Sequence, residues 1–188
     1  ANRPPRTPLP PAAAIRAVAL MTLLSLPCQG PARAEEVAWR NGTFELQASN
    51  EPLNAFLLRL FVLEGVSATM SPTVASARVN GRFKGTAAAV FKEVASTYGL
   101  TSYFDGSTLH VYSLLEMETR MLQVDPIDVP RVERLLRQMK LFDARFPLRT
   151  SSAEGQVLVS GPPRYAELVE QVVSRVAASP SRPKAGVE

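Results

Sequence analysis

The sequence predicts an α+β fold made of two small modules in series, β-α-β-β-α-β-β followed by β-α-β-β-α. Three observations indicate it. Short alternating or β-branched segments predict strands, apolar residues at three- and four-residue spacing predict helices, and Gly, Pro or Asp-Gly pairs separate the two. We expect a signal peptide at 1–34, a first module at 35–115, a second module at 116–178 and a disordered tail at 179–188.

The N-terminal segment has the pattern of an export signal. Basic residues precede the apolar run 17–26, and Ala32-Arg33-Ala34 offers the small-x-small cleavage pattern. The apolar run is shorter than the roughly 20 residues that a stable membrane-spanning helix needs. We therefore expect cleavage between Ala34 and Glu35, and export of the rest of the chain.

Removing this segment changes the charge and the cysteine content. The whole chain has 21 basic and 17 acidic residues, and its net charge is +4. The segment holds four of the arginines and no acidic residue, so the remainder is balanced and gives no electrostatic case for a nucleic-acid partner. It also holds Cys28, the only cysteine. Because Pro27 stands where a lipoprotein signal has a small residue, we expect Cys28 to leave with the signal rather than carry a lipid.

Five strands and two helices are predicted in the first module. The strands are short β-rich or alternating segments: 43–47, 66–70, 78–83, 101–104 and 108–113. The first helix starts at 49–52 and ends at Gly65, and the second runs from a capping Thr86 to Gly99. Their core residues recur at helical spacing: Leu53, Phe56, Leu57, Leu60, Phe61, Val90, Phe91, Val94 and Tyr98. Asp105-Gly106 is typical of a type I′ turn, so the last two strands should form a hairpin.

The second module is predicted to have three strands and two helices. The strands are 119–124, 146–150 and 156–160, the last two forming a hairpin. Asp128 is expected to cap the first helix, whose apolar face is Val132, Leu135, Leu136 and Met139.

The last strand is joined to the final helix by a rigid turn. Gly161 is expected to permit a sharp turn, and Pro162 and Pro163 preset φ for the first helical turn. Tyr165 and Leu168 should then anchor the helix, which ends near residue 177, on its sheet.

Several polar residues allow a functional and a structural interpretation. His110, the only histidine, lacks partners for a metal or catalytic site, so a strand residue facing solvent or making a polar contact is favoured. Asp125 and Asp128 could form an acid–base pair, but their position at a helix start favours capping. Trp39 is either a core plug or an exposed anchor for a partner. Arg131, Arg134, Arg137 and Lys140 form a basic helical face that is either solvated or a partner contact.

Longer stretches resemble a known family. The residues from Trp39 to Ser113 look like the short first periplasmic domain shared by secretins and TonB-dependent receptors. Within them, Val-Asn-Gly-Arg-Phe-Lys-Gly at 79–85 and Tyr-Phe-Asp-Gly at 103–106 resemble the type III secretion version. Phe-Asp-Ala-Arg-Phe-Pro at 142–147 and Gly-Pro-Pro-Arg-Tyr at 161–165 resemble the second, ring-building domain of the same secretins.

The resemblance implies a function that is mechanical rather than chemical. It implies a non-enzymatic part of a type III secretion channel, in the periplasm and associated with the outer membrane, that forms rings with other copies. No cofactor, metal or catalytic residue is implied. Arg131, Arg134, Arg137 and Arg164 are possible subunit-interface residues, while Gly161, Pro162, Pro163 and Tyr165 form the structural motif.

Full-length secretins continue into further ring domains and a membrane barrel, whereas this sequence stops after the second module. That resembles a rhizobial nodulation protein that is a secretin fragment encoded apart from the pore-forming part. It implies a separately encoded, barrel-bearing secretin as partner, other type III components, and a role in host-specific nodulation. A periplasmic signalling module that binds an inner-membrane regulator is the alternative. A KH-like nucleic-acid binder is disfavoured by export, balanced charge and the lack of a Gly-x-x-Gly loop.

Overall fold

A computed structural model describes residues 37–40 and 42–179 of the chain. The expected signal peptide, the cleavage site between Ala34 and Glu35, and all of the expected tail beyond residue 179 lie outside the described residues. The described part has the predicted α+β fold. Its strands are β1 Thr43–Pro52, β2 Ala68–Met70, β3 Arg78–Thr86, β4 Leu100–Phe104, β5 Leu109–Ser113, β6 Glu118–Gln123, β7 Leu148–Ser151 and β8 Gln156–Gly161. Its α-helices are α1 Leu53–Glu64, α2 Pro72–Ala75, α3 Ala87–Tyr98, α4 Val129–Gln138 and α5 Pro163–Ala177.

The first module, built from β1 to β5, has two sheets and one core. β1 and β3 form an antiparallel ribbon, and the second sheet has the order β2-β5-β4, with β2 parallel to β5. Helices α1 and α3 contact both sheets. The five residues predicted as the core face of α1 are all buried, as are Val90 and Val94 of α3. Thr86 caps α3 as expected, since its hydroxyl accepts a hydrogen bond of 3.3 Å from the Ala89 amide.

Two local predictions in this module are wrong. Residues 49–52 do not begin the helix but continue β1, because Glu51 and Pro52 pair with Val79 and Arg78 of β3 beyond a bulge at 48–51. Helix α1 therefore starts at Leu53. The β4–β5 connection is not a two-residue type I′ turn but a four-residue loop, 105–108, in which the Asp105 carboxylate accepts hydrogen bonds from two backbone amides.

The second module, built from β6 to α5, has one antiparallel sheet of order β6-β8-β7. Helices α4 and α5 contact each other and supply most of its core. Met139, predicted on the apolar face of α4, is 47% exposed, whereas Val129 is fully buried. Asp128 occupies the N-cap position without a side-chain cap hydrogen bond. The observed cap is Asp125, whose carboxylate accepts from the Ile127 amide at 3.0 Å in the 3-10 turn 126–128.

Among the described helices, none combines the length and the apolar composition needed to cross a membrane.

Candidate functional site

The junction between the modules is closed by an aromatic cluster to which both contribute. Tyr103 lies on β4 of the first module, yet it is buried in the core of the second. Its ring centroid is 5.3 Å from that of Tyr165 on α5 and 6.3 Å from that of Phe146. Phe146 and Tyr165 lie 5.2 Å apart. Tilted and edge-on aromatic pairs at these distances add to the stabilisation from burial alone. The second core is thus completed by a residue from the first module.

Gly161 makes room for this cluster. An ideal Cβ at Gly161 would lie 2.4 Å from Cδ1 of Tyr165 and 3.4 Å from the Phe146 Cβ. Gly161 is not among the glycines with positive φ, so the packing depends on its missing side chain rather than on a sharp turn at this residue. The turn into α5 is made by Pro162 at the N-cap and Pro163 at the first helical position.

A polar network lies next to the aromatic cluster and also crosses the junction. The Asp105 carboxylate is 2.8 Å from Nε2 of His110 and 3.5 Å from the Arg164 guanidinium on α5. Nδ1 of His110 is 2.9 Å from the Thr69 hydroxyl. Because an ionised carboxylate can only accept, Nε2 carries the proton and, in the neutral ring, the Thr69 hydroxyl donates to Nδ1. Arg164 also pairs with Glu167 at 3.0 Å.

The protonation of these groups follows from their surroundings. Burial alone would raise the pKa of Asp105, but hydrogen bonds from His110, Thr108 and Ser107 outweigh it and hold this pKa well below its usual range. Burial, reinforced by the negative charge of Asp105, raises the pKa of Tyr103 to about 12. Burial likewise raises the pKa of Tyr165. At neutral pH the junction therefore holds neutral phenols beside an ionised carboxylate–guanidinium pair.

The arginines predicted at a subunit interface have different surroundings. Arg131 donates to the carbonyl of Ser179. Arg137 pairs with Glu133 at 3.1 Å and lies over the Phe142 ring. Arg134 is exposed on the same helix. Arg164 is directed at Asp105 within the chain, a contact that the sequence did not indicate.

The remaining candidate residues, Trp39 and His110, make packing and polar contacts within the chain. Trp39 is partly buried against Phe61 and Phe91, with centroids 6.2 and 6.1 Å away, so it is a core plug. His110 makes the polar contacts described above. Sequence reasoning missed Tyr103 as a junction residue, because its place in a β4 pattern says nothing about which core it enters.

Comparison with known proteins gives relatives but no matching family model. The type 3 secretion system secretin of Xanthomonas euvesicatoria is 30% identical over 159 residues, or 84% of this chain and 26% of the secretin. That of Ralstonia nicotianae is 30% identical over 76% of this chain and 25% of its own length. The nodulation protein NolW of Rhizobium fredii is 33% identical over 116 residues, or 58% of this chain and 50% of NolW. The chain thus spans about a quarter of these secretins and half of NolW.

Solved structures show the same fold. A chain of the InvGN0N1:SpaPQR:PrgHK structure from the Salmonella SPI-1 injectisome NC-base matches with a TM-score of 0.64 and 21% identity, over 77% of this chain and 100% of that one. A chain of the Salmonella SPI-1 basal body structure of InvG, PrgH and PrgK matches with a TM-score of 0.59 and 23% identity, over 70% of this chain and 28% of that one.

The fold and the relatives together indicate the class that this chain resembles, which is the N-terminal part of the secretins. More particularly, this chain is a homologue of the type III secretion system secretins and of NolW. These relatives are named as secretins of type 3 secretion systems and as a nodulation protein.

Proposed function

We propose that this chain is a non-enzymatic component of a type III protein secretion channel, acting in the periplasm at the outer membrane and supplying two ring-building modules. The observation that carries the proposal is the extent of the secretin match. A match over 84% of the chain includes residues of both modules, since neither fits into the remainder. The likeness is therefore to a pair of modules in series rather than to one widespread domain.

The junction supports this mechanical role. Tyr103, Phe146 and Tyr165 bury the contact between the modules, and the Asp105–Arg164 pair lies beside it. A buried aromatic contact of this kind resists bending between the modules, because rotation would expose the rings to water. Copies packed side by side would then build two stacked rings at a fixed spacing. Closing a ring also covers sheet edges that would otherwise be open to aggregation.

The finer part of the proposal concerns the partner and the biological setting. We infer that a separately encoded, barrel-bearing secretin supplies the membrane part, and that the channel acts in host-specific nodulation. The NolW match, 33% identical over 58% of this chain, supports the setting in nodulation.

Affinity purification and gene deletion test the proposal. The tagged chain is solubilised from outer membranes with mild detergent, and its partners are identified by mass spectrometry. We expect a barrel-bearing secretin and other type III components to be recovered, and deletion of the gene to stop type III export while general secretion continues. Normal effector export in the deletion strain would contradict the proposal. Recovery of an inner-membrane regulator instead would favour the signalling alternative.

A further inference from the structure

The two ends of α4 carry exposed features of opposite character. At the N-terminal end, Ile127 is 58% exposed although it is a large apolar residue. Asp125 belongs to the same turn as Ile127, and Glu154 directly precedes Gly155, which packs against Pro126 of that turn; both carboxylates are exposed. We call Ile127, Asp125 and Glu154 the tip.

The tip is held in shape by backbone contacts. The Val124 amide donates to the Gly155 carbonyl at 2.9 Å, which fixes the β7–β8 turn against the segment before α4. An ideal Cβ at Gly155 would lie 2.2 Å from the Val124 carbonyl oxygen and 3.0 Å from Cδ of Pro126. Asp125 caps the 3-10 turn that presents Ile127. The apolar side chain and its two carboxylates are therefore displayed on an ordered surface.

At the C-terminal end of α4 lies a cleft between the modules. Phe104 and Gly106 line it from the first module, and Met139, Lys140, Leu141 and Leu168 line it from the second. Met139 is half exposed at this cleft. Lys140 is exposed and has a φ of 55°, a left-handed conformation that a residue with a side chain adopts at a cost. We call this the cleft.

The tip and the cleft each carry one charge that has no ion-pair partner among the described residues, and the two are opposite in sign: Glu154 and Lys140. Among the residues that the structure describes, neither Glu154 nor Lys140 makes an ion pair. Asp105 also borders the cleft, but it is engaged by His110 and Arg164. The 10 residues of α4 separate the two features by about 15 Å at 1.5 Å per residue, so they cannot meet within one chain.

We propose that the tip of one copy docks into the cleft of the next copy, with Ile127 against Met139 and Glu154 near Lys140. The inference rests on the proposed ring-building function and names the surfaces that would build the ring. A contact between two different surfaces of identical chains is head-to-tail, and it repeats from copy to copy until the ring closes. An apolar side chain beside two carboxylates, facing a cleft whose one lining cation is Lys140, also fixes the register of the contact.

Disulfide trapping tests this contact. Cys28→Ser first removes the only native cysteine, and Ile127→Cys and Met139→Cys are then combined in the full chain. Both positions are exposed, so neither change disturbs a core. After mild oxidation of outer membranes, the double variant should give a ladder of dimers, trimers and larger species on non-reducing gels. Each single variant should give dimers at most. A control pair, Ile127→Cys with Val62→Cys, places the second thiol on a site of α1 that is more exposed than Met139, and it should give no ladder.

The outcomes separate this inference from the function on which it rests. Amine-reactive crosslinking of the wild-type chain reports whether rings form at all. Rings without a disulfide ladder, or an equal ladder from the control pair, would overturn the tip–cleft contact and leave the ring proposal standing. If the wild type forms no oligomer, both are overturned.

Charge exchange distinguishes docking from a role of these charges in one chain. Negative charge near the start of α4 and positive charge near its end also suit the helix dipole. Under docking, Glu154→Lys and Lys140→Glu should each reduce the trapped ladder about tenfold, and the double exchange should restore it. If the charges act only on the helix dipole, the double variant should be less stable than either single variant and should not restore the trapped ladder. That result would overturn the contact.

Discussion

Gly161 and Tyr165 are in such close contact that the ring of Tyr165 occupies the space where a side chain at Gly161 would lie. An added Cβ would be 2.4 Å from Cδ1 and 3.2 Å from Cε1 of the ring. The same ring packs at a tilt against Tyr103 of the first module and against Phe146. A missing side chain on β8 thus sets the position of the residue through which the two modules are joined.

The first prediction follows from this contact. Gly161→Ala should lower the free energy of unfolding by about 2–4 kcal/mol, because the added methyl group would overlap the ring of Tyr165, which is fully buried. Urea unfolding followed by circular dichroism measures the effect. Gly99→Ala is the matched control. Gly99 has a φ of 61°, but a Cβ there would meet nothing within 4 Å, so only backbone strain of about 1 kcal/mol is expected. Equal losses from the two variants would contradict the packing role of Gly161.

The second prediction concerns Tyr103, which should stabilise the module to which it does not belong in sequence. Tyr103→Ala should cost about 3–5 kcal/mol and should expose the second core most. Hydrogen exchange measured by mass spectrometry should therefore show a larger increase over the wild-type rate in α5 than in α1.

Val94→Ala provides the contrasting control, since Val94 is buried in the first core only. It should speed exchange in α1 and α3 and leave α5 comparatively protected. If Tyr103→Ala changed only the first module, the assignment of Tyr103 to the second core would be wrong.

The third prediction compares two neighbours on α5. Leu168 is only partly buried, whereas Val169 is fully buried. Leu168→Asp should therefore cost about 1–2 kcal/mol, because the carboxylate can still reach water, and Val169→Asp should prevent folding of the second module. Thermal melts and soluble yield compare them. A larger loss from Leu168→Asp would place the core face of α5 one residue away from where the structure has it.

Much of the fold could be predicted because local patterns determine it. The five apolar residues of α1 recur at helical spacing and are all buried, and α5 begins at Pro163 as the proline pair indicates. The sequence-based predictions are wrong where contacts with residues far away in the chain determine the local structure. Residues 49–52 have local signals for a helix start, but pairing with β3 keeps them in a strand.

The junction could not be predicted for the same reason. Tyr103 fits the pattern of a strand of the first module, and nothing in the sequence around it shows that its ring enters the core of the second module. The resemblance gives Arg164 only as a possible subunit-interface residue, and its partner within the chain, Asp105, lies 59 positions earlier. The sequence predicts a sharp turn at Gly161, whereas the contact with Tyr165 that requires a glycine there depends on the packed structure.

The last prediction concerns the pH dependence of the polar network. The pKa of Asp105 is lower in the folded chain than its ordinary value of 3.8, because hydrogen bonds from His110 and two backbone amides outweigh its burial. A carboxyl group with a lowered pKa contributes stability that is complete above its unfolded pKa and is lost as the pH falls through the folded pKa. Asp105→Asn should thus destabilise the chain by about 1–3 kcal/mol at pH 7.

The difference between wild type and this variant should shrink steadily as the pH is lowered from about 5 to about 2, which urea unfolding across that range measures. Asp125→Asn is the control. It changes a carboxylate to an amide at a turn where either side chain can cap, so it should change stability little at pH 7. A pH-independent loss in Asp105→Asn would mean that the carboxylate contributes through shape alone. The charge pair with Arg164 across the junction would then have no measurable part in joining the modules.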